Sequence, residues 1–251
     1  MLTVGVDLAA ESAGTAVARL DWSPTGATLR DLVVPADDDT VLRAVLAADK
    51  AGIDCPLGWP EPFVEFVDAH RSGHVTVPDG LTGLEWRRRL AYRCTDAVVL
   101  AATGQRPLSV AADRIGHTAM RCAALLARLA QHGQPVDRTG AGVVVEVYPA
   151  ASLRHWDLPY RGYKRTRNVA SLATVVDGLL AKAPWLDLGP PAATCRRSDH
   201  ALDAVVAALS ARAAALGLAT RPDERQARLA RTEGWIALPT SPLTALLPPR
   251  S

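Results

Sequence analysis

Short apolar runs broken by turn residues open the chain. Leu2 to Asp7 is apolar at nearly every position, the pattern of a strand buried on both faces. Thr15 to Leu20 and Ala27 to Val34 read as two more strands, joined through the turn Ser23-Pro24-Thr25-Gly26. Three strands with short connections predict an antiparallel meander. From Asp38 to Asp49 the spacing becomes helical, with Val41, Leu42, Val45 and Leu46 on one face and an N-cap within Asp37 to Thr40. Ala51 to Asp54 is a short strand halted by Cys55-Pro56.

Helical spacing then dominates. Pro62 to His70, Thr82 to Ala102 and Gly116 to Gln131 predict three helices, a helical insertion over about residues 60–140 that caps the sheet. Gly142 to Tyr148 returns to a strand, Val169 to Ala183 and Ser198 to Leu216 are long helices, and Glu233 to Leu238 is a candidate last strand. The order predicts one α/β domain over residues 1–251: a mixed sheet, meander plus parallel strands, flanked by helices. The tail from Pro242 to Ser251 is expected to be weakly ordered.

Composition narrows the class. No apolar run reaches the length of a membrane span, and the start lacks the basic stretch of a signal peptide, so a cytoplasmic location without membrane contact is expected. Four cysteines, Cys55, Cys94, Cys122 and Cys195, lie far apart, which speaks against zinc spacing and a disulfide framework. The net charge is only +2, and lysine occurs only at Lys50, Lys164 and Lys182. Arginine suits bidentate phosphate contacts, but a GC-rich coding sequence also favours it.

The candidate chemistry lies in acids attached to apolar segments. Carboxylates at the ends of buried strands are expensive unless a cation satisfies them. Asp7 ends the first strand, where open α/β sheets bind ligands. Asp54 is held in Gly52-Ile53-Asp54-Cys55-Pro56, whose backbone rigidity suits a preorganised ligand, although turn formation also accounts for it. Glu146 interrupts the run Val143 to Val147. Metal ligation is the preferred reading for it, and a buried arginine partner is the structural alternative. Asp199 and Asp203 are one helical turn apart, with His200 beside them. Asp199 also suits a helix start behind Ser198, whereas Asp203 sits among alanines where an acid needs a reason. An oxygen-rich set of this kind suits Mg²⁺ or Mn²⁺, with carboxylates enough for two ions.

The segments Gly5-Val6-Asp7, Ile53-Asp54-Cys55-Pro56-Leu57-Gly58, Arg93-Cys94-Thr95-Asp96, Glu146-Val147-Tyr148-Pro149, Asp199-His200-Ala201-Leu202-Asp203-Ala204 and Glu233-Gly234-Trp235-Ile236 occur in that order. In this order the chain resembles the ribonuclease H-like fold and, more narrowly, the DUF429 family of predicted nucleases of that fold. The resemblance implies a metal-dependent nuclease with Asp7, Glu146 and Asp203 as core carboxylates and Asp54 and Asp199 as helpers. Metal ligands would be Asp7, Glu146, Asp203 and Asp199. His200 with Asp203 resembles the His/Asp-x-x-Asp ending of junction resolvases of the same fold.

Nucleic acid is the expected substrate. Arg93 is a candidate phosphate contact, although an ion pair with Asp96 explains it structurally. Arg161, Lys164 and Arg165, in the loop Tyr160 to Arg167, are the best candidate backbone contacts, with a solvated loop as the plain alternative. Two other functions compete. An actin-like or sugar-kinase phosphotransferase would carry a Gly-rich phosphate loop after Asp7, and none is present. A non-catalytic binding module would be expected to lack one of the acids. Oligomeric state is not readable from the pattern.

Overall fold

The computed structural model describes residues 1–80, 83–164 and 168–247. Six strands form one sheet: β1 (Leu2–Asp7), β2 (Ala16–Trp22), β3 (Ala27–Val33), β4 (Lys50–Asp54), β5 (Val144–Glu146) and β6 (Leu186–Asp187), in the order β5-β4-β1-β2-β3-β6. The first three pair antiparallel as the meander. Both β4 and β5 run parallel to β1, and β6 adds a short parallel pair beyond β3. This is the mixed α/β sheet that the sequence predicts, consistent with a ribonuclease H-like fold.

Ten helices are described: α1 (Asp38–Leu46), α2 (Glu61–Arg71), α3 (Gly83–Ala91), α4 (Cys94–Thr103), α5 (Gly116–Gln131), α6 (Pro149–His155), α7 (Val169–Lys182), α8 (Ala192–Cys195), α9 (Asp199–Ala215) and α10 (Glu224–Glu233). Strand alternation divides them between two faces. Val4, Val6, Ala51, Ile53 and Val144 face one way and pack on α1 and α5. The other face carries Ala16, Ala18 and Leu20 against α7 and α9. None of these helices is long and apolar enough to cross a membrane.

Helix α9 is the central pillar. Ser198 caps it, accepting a hydrogen bond from the Ala201 amide, and every residue from Ala201 to Ala213 is buried. A helix buried all round can sit this deep only if the sheet yields space. Two glycines paired in register, Gly5 and Gly52, provide it. A Cβ on Gly5 would lie 1.9 Å from the Ala204 carbonyl oxygen, and one on Gly52 would lie 2.5 Å from that of Ala207. Alanine on the helix and glycine on the strands bring the two backbones into direct contact.

Several elements differ from expectation. The single helix expected over Thr82 to Ala102 is two helices, because Arg93 is extended and caps α4 in a reciprocal arrangement with Asp96. The candidate strand at Glu233 to Leu238 contributes only a bridge from Ile236 to Glu146, since α10 runs to Glu233 and Gly234 turns the chain at φ +87°. Strand β6 and helix α10 lack a strong apolar pattern and were not expected. Four helices, α2 to α5, fall between β4 and β5. Of these, α2 and α3 bury no side chain completely.

Candidate metal centre

The parity that places Gly5 and Gly52 against α9 also places two acids. Side chains two residues apart on a strand share a face, so Asp7 follows Gly5 and Asp54 follows Gly52 toward the helix. Asp7 and Asp54 are themselves register partners across β1 and β4. Asp203 adjoins Ala204, whose carbonyl oxygen meets Gly5, so the helix brings its acid to the same strand ends. Ligand atoms of Asp7, Asp54 and Asp203 lie within 4.8 Å of one another. Asp203 is 1% exposed and Asp7 8%.

Two of the three acids have partners. Asp203 accepts a hydrogen bond from the Tyr163 hydroxyl on Oδ1 (2.7 Å) and pairs with the Lys164 ammonium through Oδ2 (2.6 Å). Asp7 Oδ2 lies 2.6 Å from His200 Nδ1. Among the described residues no hydrogen bond reaches Asp54. Burial pushes the Asp54 carboxyl well above the ordinary carboxylate range, with Lys164 opposing and Asp7 and Asp203 reinforcing the rise. Burial also raises Asp7, and the hydrogen bond from His200 holds it back. The same hydrogen bond raises His200, and Asp203 raises Lys164. Three clustered carboxylates therefore face one ammonium and one imidazole. A hard divalent cation fits this oxygen donor set.

Glu146 takes a different position from the one the sequence suggests. It pairs in register with Ile53, not with Asp54, so its side chain falls on the opposite face of the sheet. There Arg93 donates to both carboxylate oxygens, at 2.7 and 2.8 Å. Arg93 also donates to Asp96 (3.0 Å) and to the Glu233 carbonyl (3.0 Å), and the Leu57 amide donates to Glu146 Oε2. Glu233 in turn accepts from the Cys94 and Glu61 amides. The segments Arg93 to Asp96, Glu146 to Pro149 and Glu233 to Ile236 thus converge on a buried ionic lock between sheet and insertion. The buried-arginine alternative for Glu146 describes this geometry, and Asp54 occupies the place beside Asp7 and Asp203 that the sequence suggests for Glu146.

The remaining candidates spread outward. Asp199 is the first residue of α9 and half-buried. Arg161 is exposed, with its guanidinium 5.2 Å from the Tyr160 ring centroid. Lys164 reaches the acids as described, and Arg165 lies outside the described residues. Arg93 is committed to the ionic lock. Tyr163 was not singled out as a site residue. Its signal was a large aromatic inside a basic loop, which buries completely to reach Asp203. A cavity of about 210 Å³ adjoins the acids, lined by Asp7, Asp54, Lys164, Tyr148 and the Pro107–Leu108 segment among others.

The family described as "Protein of unknown function (DUF429)" matches residues 5–227. No curated protein and no solved structure matches the chain.

Proposed function

From the premise that the chain belongs to the DUF429 family, we propose that it is a metal-dependent phosphodiester hydrolase acting on nucleic acid. The observation that carries this reading is the convergence of Asp7, Asp54 and Asp203 from three separate elements within 4.8 Å. Asp54, half-buried beside two buried acids, accepts no side-chain hydrogen bond among the described residues, and three carboxylates crowded together without a cation are costly. Perturbed carboxyls in a cleft favour a functional site over a structural one.

Asp7, Asp54 and Asp203 would hold Mg²⁺ or Mn²⁺. The ion would supply Lewis acidity and lower the pKa of water for in-line displacement at phosphorus. One ion would account for the three carboxylates, and a second would require further oxygens, such as those of the substrate. The chain's own groups position and neutralise. His200 fixes the orientation of Asp7, and Tyr163 fixes that of Asp203. Lys164, half-exposed at the cavity, brings the positive charge a phosphodiester needs beside three acids. Arg161 extends that charge toward solvent on the same loop.

The test is Mn²⁺ titration by calorimetry alongside hydrolysis of bis(p-nitrophenyl) phosphate. Asp7→Asn, Asp54→Asn and Asp203→Asn are each expected to lose at least tenfold in Mn²⁺ affinity and most of the turnover. Undiminished Mn²⁺ binding in all three would sink the proposal.

A further inference from the structure

The acids of the candidate centre are deeply set. Asp203 and Asp7 are almost completely buried, and a cavity of about 210 Å³ reaches Asp7 and Asp54. Pockets for drug-sized ligands run to roughly 300–1,000 Å³, so this cavity takes one base or sugar and not a run of them. Beside the acids, Lys164, Thr118 and the Arg93–Glu146 pair, its walls are mostly apolar. Tyr148 follows Glu146 and Val147 at the end of β5, while Pro107, Leu108 and Ile115 come from the segment between α4 and α5. The helical insertion therefore forms one wall of the cavity at this end of the sheet.

We propose that the cavity receives the base of the last nucleotide of a single strand, so that the reaction removes terminal nucleotides instead of cutting within a strand. This rests on the hydrolase reading above. Tyr148 offers an aromatic surface for the terminal base, a contact that tolerates any sequence. The scissile phosphodiester then lies toward Asp7, Asp54 and Lys164. Water adds its oxygen to phosphorus, and the P–O bond to the neighbouring sugar breaks. One water proton goes to that departing oxygen, leaving a nucleoside monophosphate and a strand shorter by one.

The experiment compares a linear labelled single strand with a covalently closed circular single strand, both with Mn²⁺. Bis(p-nitrophenyl) phosphate serves as the control for the parent reading. Release of mononucleotides from the linear strand with the circle intact is the expected result. Cutting of the circle at a comparable rate would overturn the terminal-nucleotide proposal and leave the hydrolase reading standing. Hydrolysis of the small ester with neither strand touched would also overturn it. No hydrolysis of any of the three removes both readings.

A binding measurement adds a second readout. In Ca²⁺ in place of Mn²⁺, the fluorescence of 2-aminopurine at the strand end is expected to be quenched on mixing, and at an internal position it is not. Tyr148→Phe should keep that quench, and Tyr148→Ala should weaken binding roughly tenfold. Leu108 is 45% exposed, so Leu108→Trp narrows the mouth without disturbing the core. Leu108→Trp should slow terminal release about tenfold at an unchanged Tm. Equal quenching at terminal and internal positions would contradict the proposal independently of turnover.

Discussion

At the residue scale, Asp54 binds stability and function in opposite directions. In the unfolded chain an aspartate titrates near about 4, while burial lifts folded Asp54 well above that. Between the two values the native protein holds a proton that the unfolded chain has lost. The stability this contributes is complete below about pH 4 and is lost as pH rises through the folded value. The Tm of the metal-free protein is therefore expected to fall as pH rises above the ordinary carboxylate range. Mn²⁺ should recover that loss, with proton release on binding. Asp54→Asn should flatten the pH-dependent fall and raise the metal-free Tm at alkaline pH, while abolishing the recovery by Mn²⁺. Thermal melts across pH, with and without Mn²⁺, check all three outcomes. An Asp54→Asn protein that Mn²⁺ still stabilises would show that the acid is not a ligand.

The contrast between Asp54 and Glu146 marks the limit of what sequence could say about the site. Both are acids attached to apolar strands, and nothing in composition separates them. Register does: Asp54 pairs with Asp7, and Glu146 pairs one position earlier, with Ile53. A shift of one residue turns a side chain to the other face, and pairing across distant strands is not written in local pattern. Asp7 and Asp203 were legible because a strand end and an alanine-rich helix each made an acid conspicuous.

At the element scale, the centre depends on how closely α9 approaches β1 and β4. The glycines at positions 5 and 52 are spacers as much as strand residues. Gly52→Ala would drive a Cβ to 2.5 Å from the Ala207 carbonyl oxygen, and the obstacle is backbone that cannot rotate away. Overpacking of this kind typically costs about 1–3 kcal/mol. The relaxation open to the fold is to push α9 off the sheet, which carries Asp203 away from Asp7 and Asp54. Gly52→Ala is therefore expected to lose about 1–3 kcal/mol in urea denaturation and to bind Mn²⁺ more weakly although it alters no ligand. Full Mn²⁺ affinity in a destabilised Gly52→Ala protein would separate helix packing from the site. Elements with a strong apolar pattern, such as β1, α5, α7 and α9, were readable within a few residues. The break at Arg93 was not, because a tertiary ion pair, and no proline or glycine, ends α3 and restarts the helix as α4.

At the scale of the whole molecule, one buried arginine ties the helical insertion to the sheet. Arg93 starts α4, grips Glu146 on β5 with two hydrogen bonds and holds the carbonyl that ends α10. Arg93 and the two acids it pairs with, Glu146 and Asp96, are 1–2% exposed. Removing one partner of such a pair strands a charge in the interior, a loss of about 3–5 kcal/mol, whereas replacing both by apolar side chains is often nearly neutral. Arg93→Leu should accordingly destabilise by about 3–5 kcal/mol, and adding Glu146→Leu should recover the part that belongs to the Glu146 pair, leaving the part that belongs to Asp96. Asp96 keeps its bond from the backbone amide at position 93 and loses its cation in both variants alike, so the difference between them reports on Glu146. A double-mutant cycle in urea measures the coupling. The same cycle run with Mn²⁺ distinguishes a lock from a ligand. If Glu146 only anchors the insertion, the double variant regains Mn²⁺ affinity along with stability. If Glu146 contributes to the ion, stability returns and affinity does not.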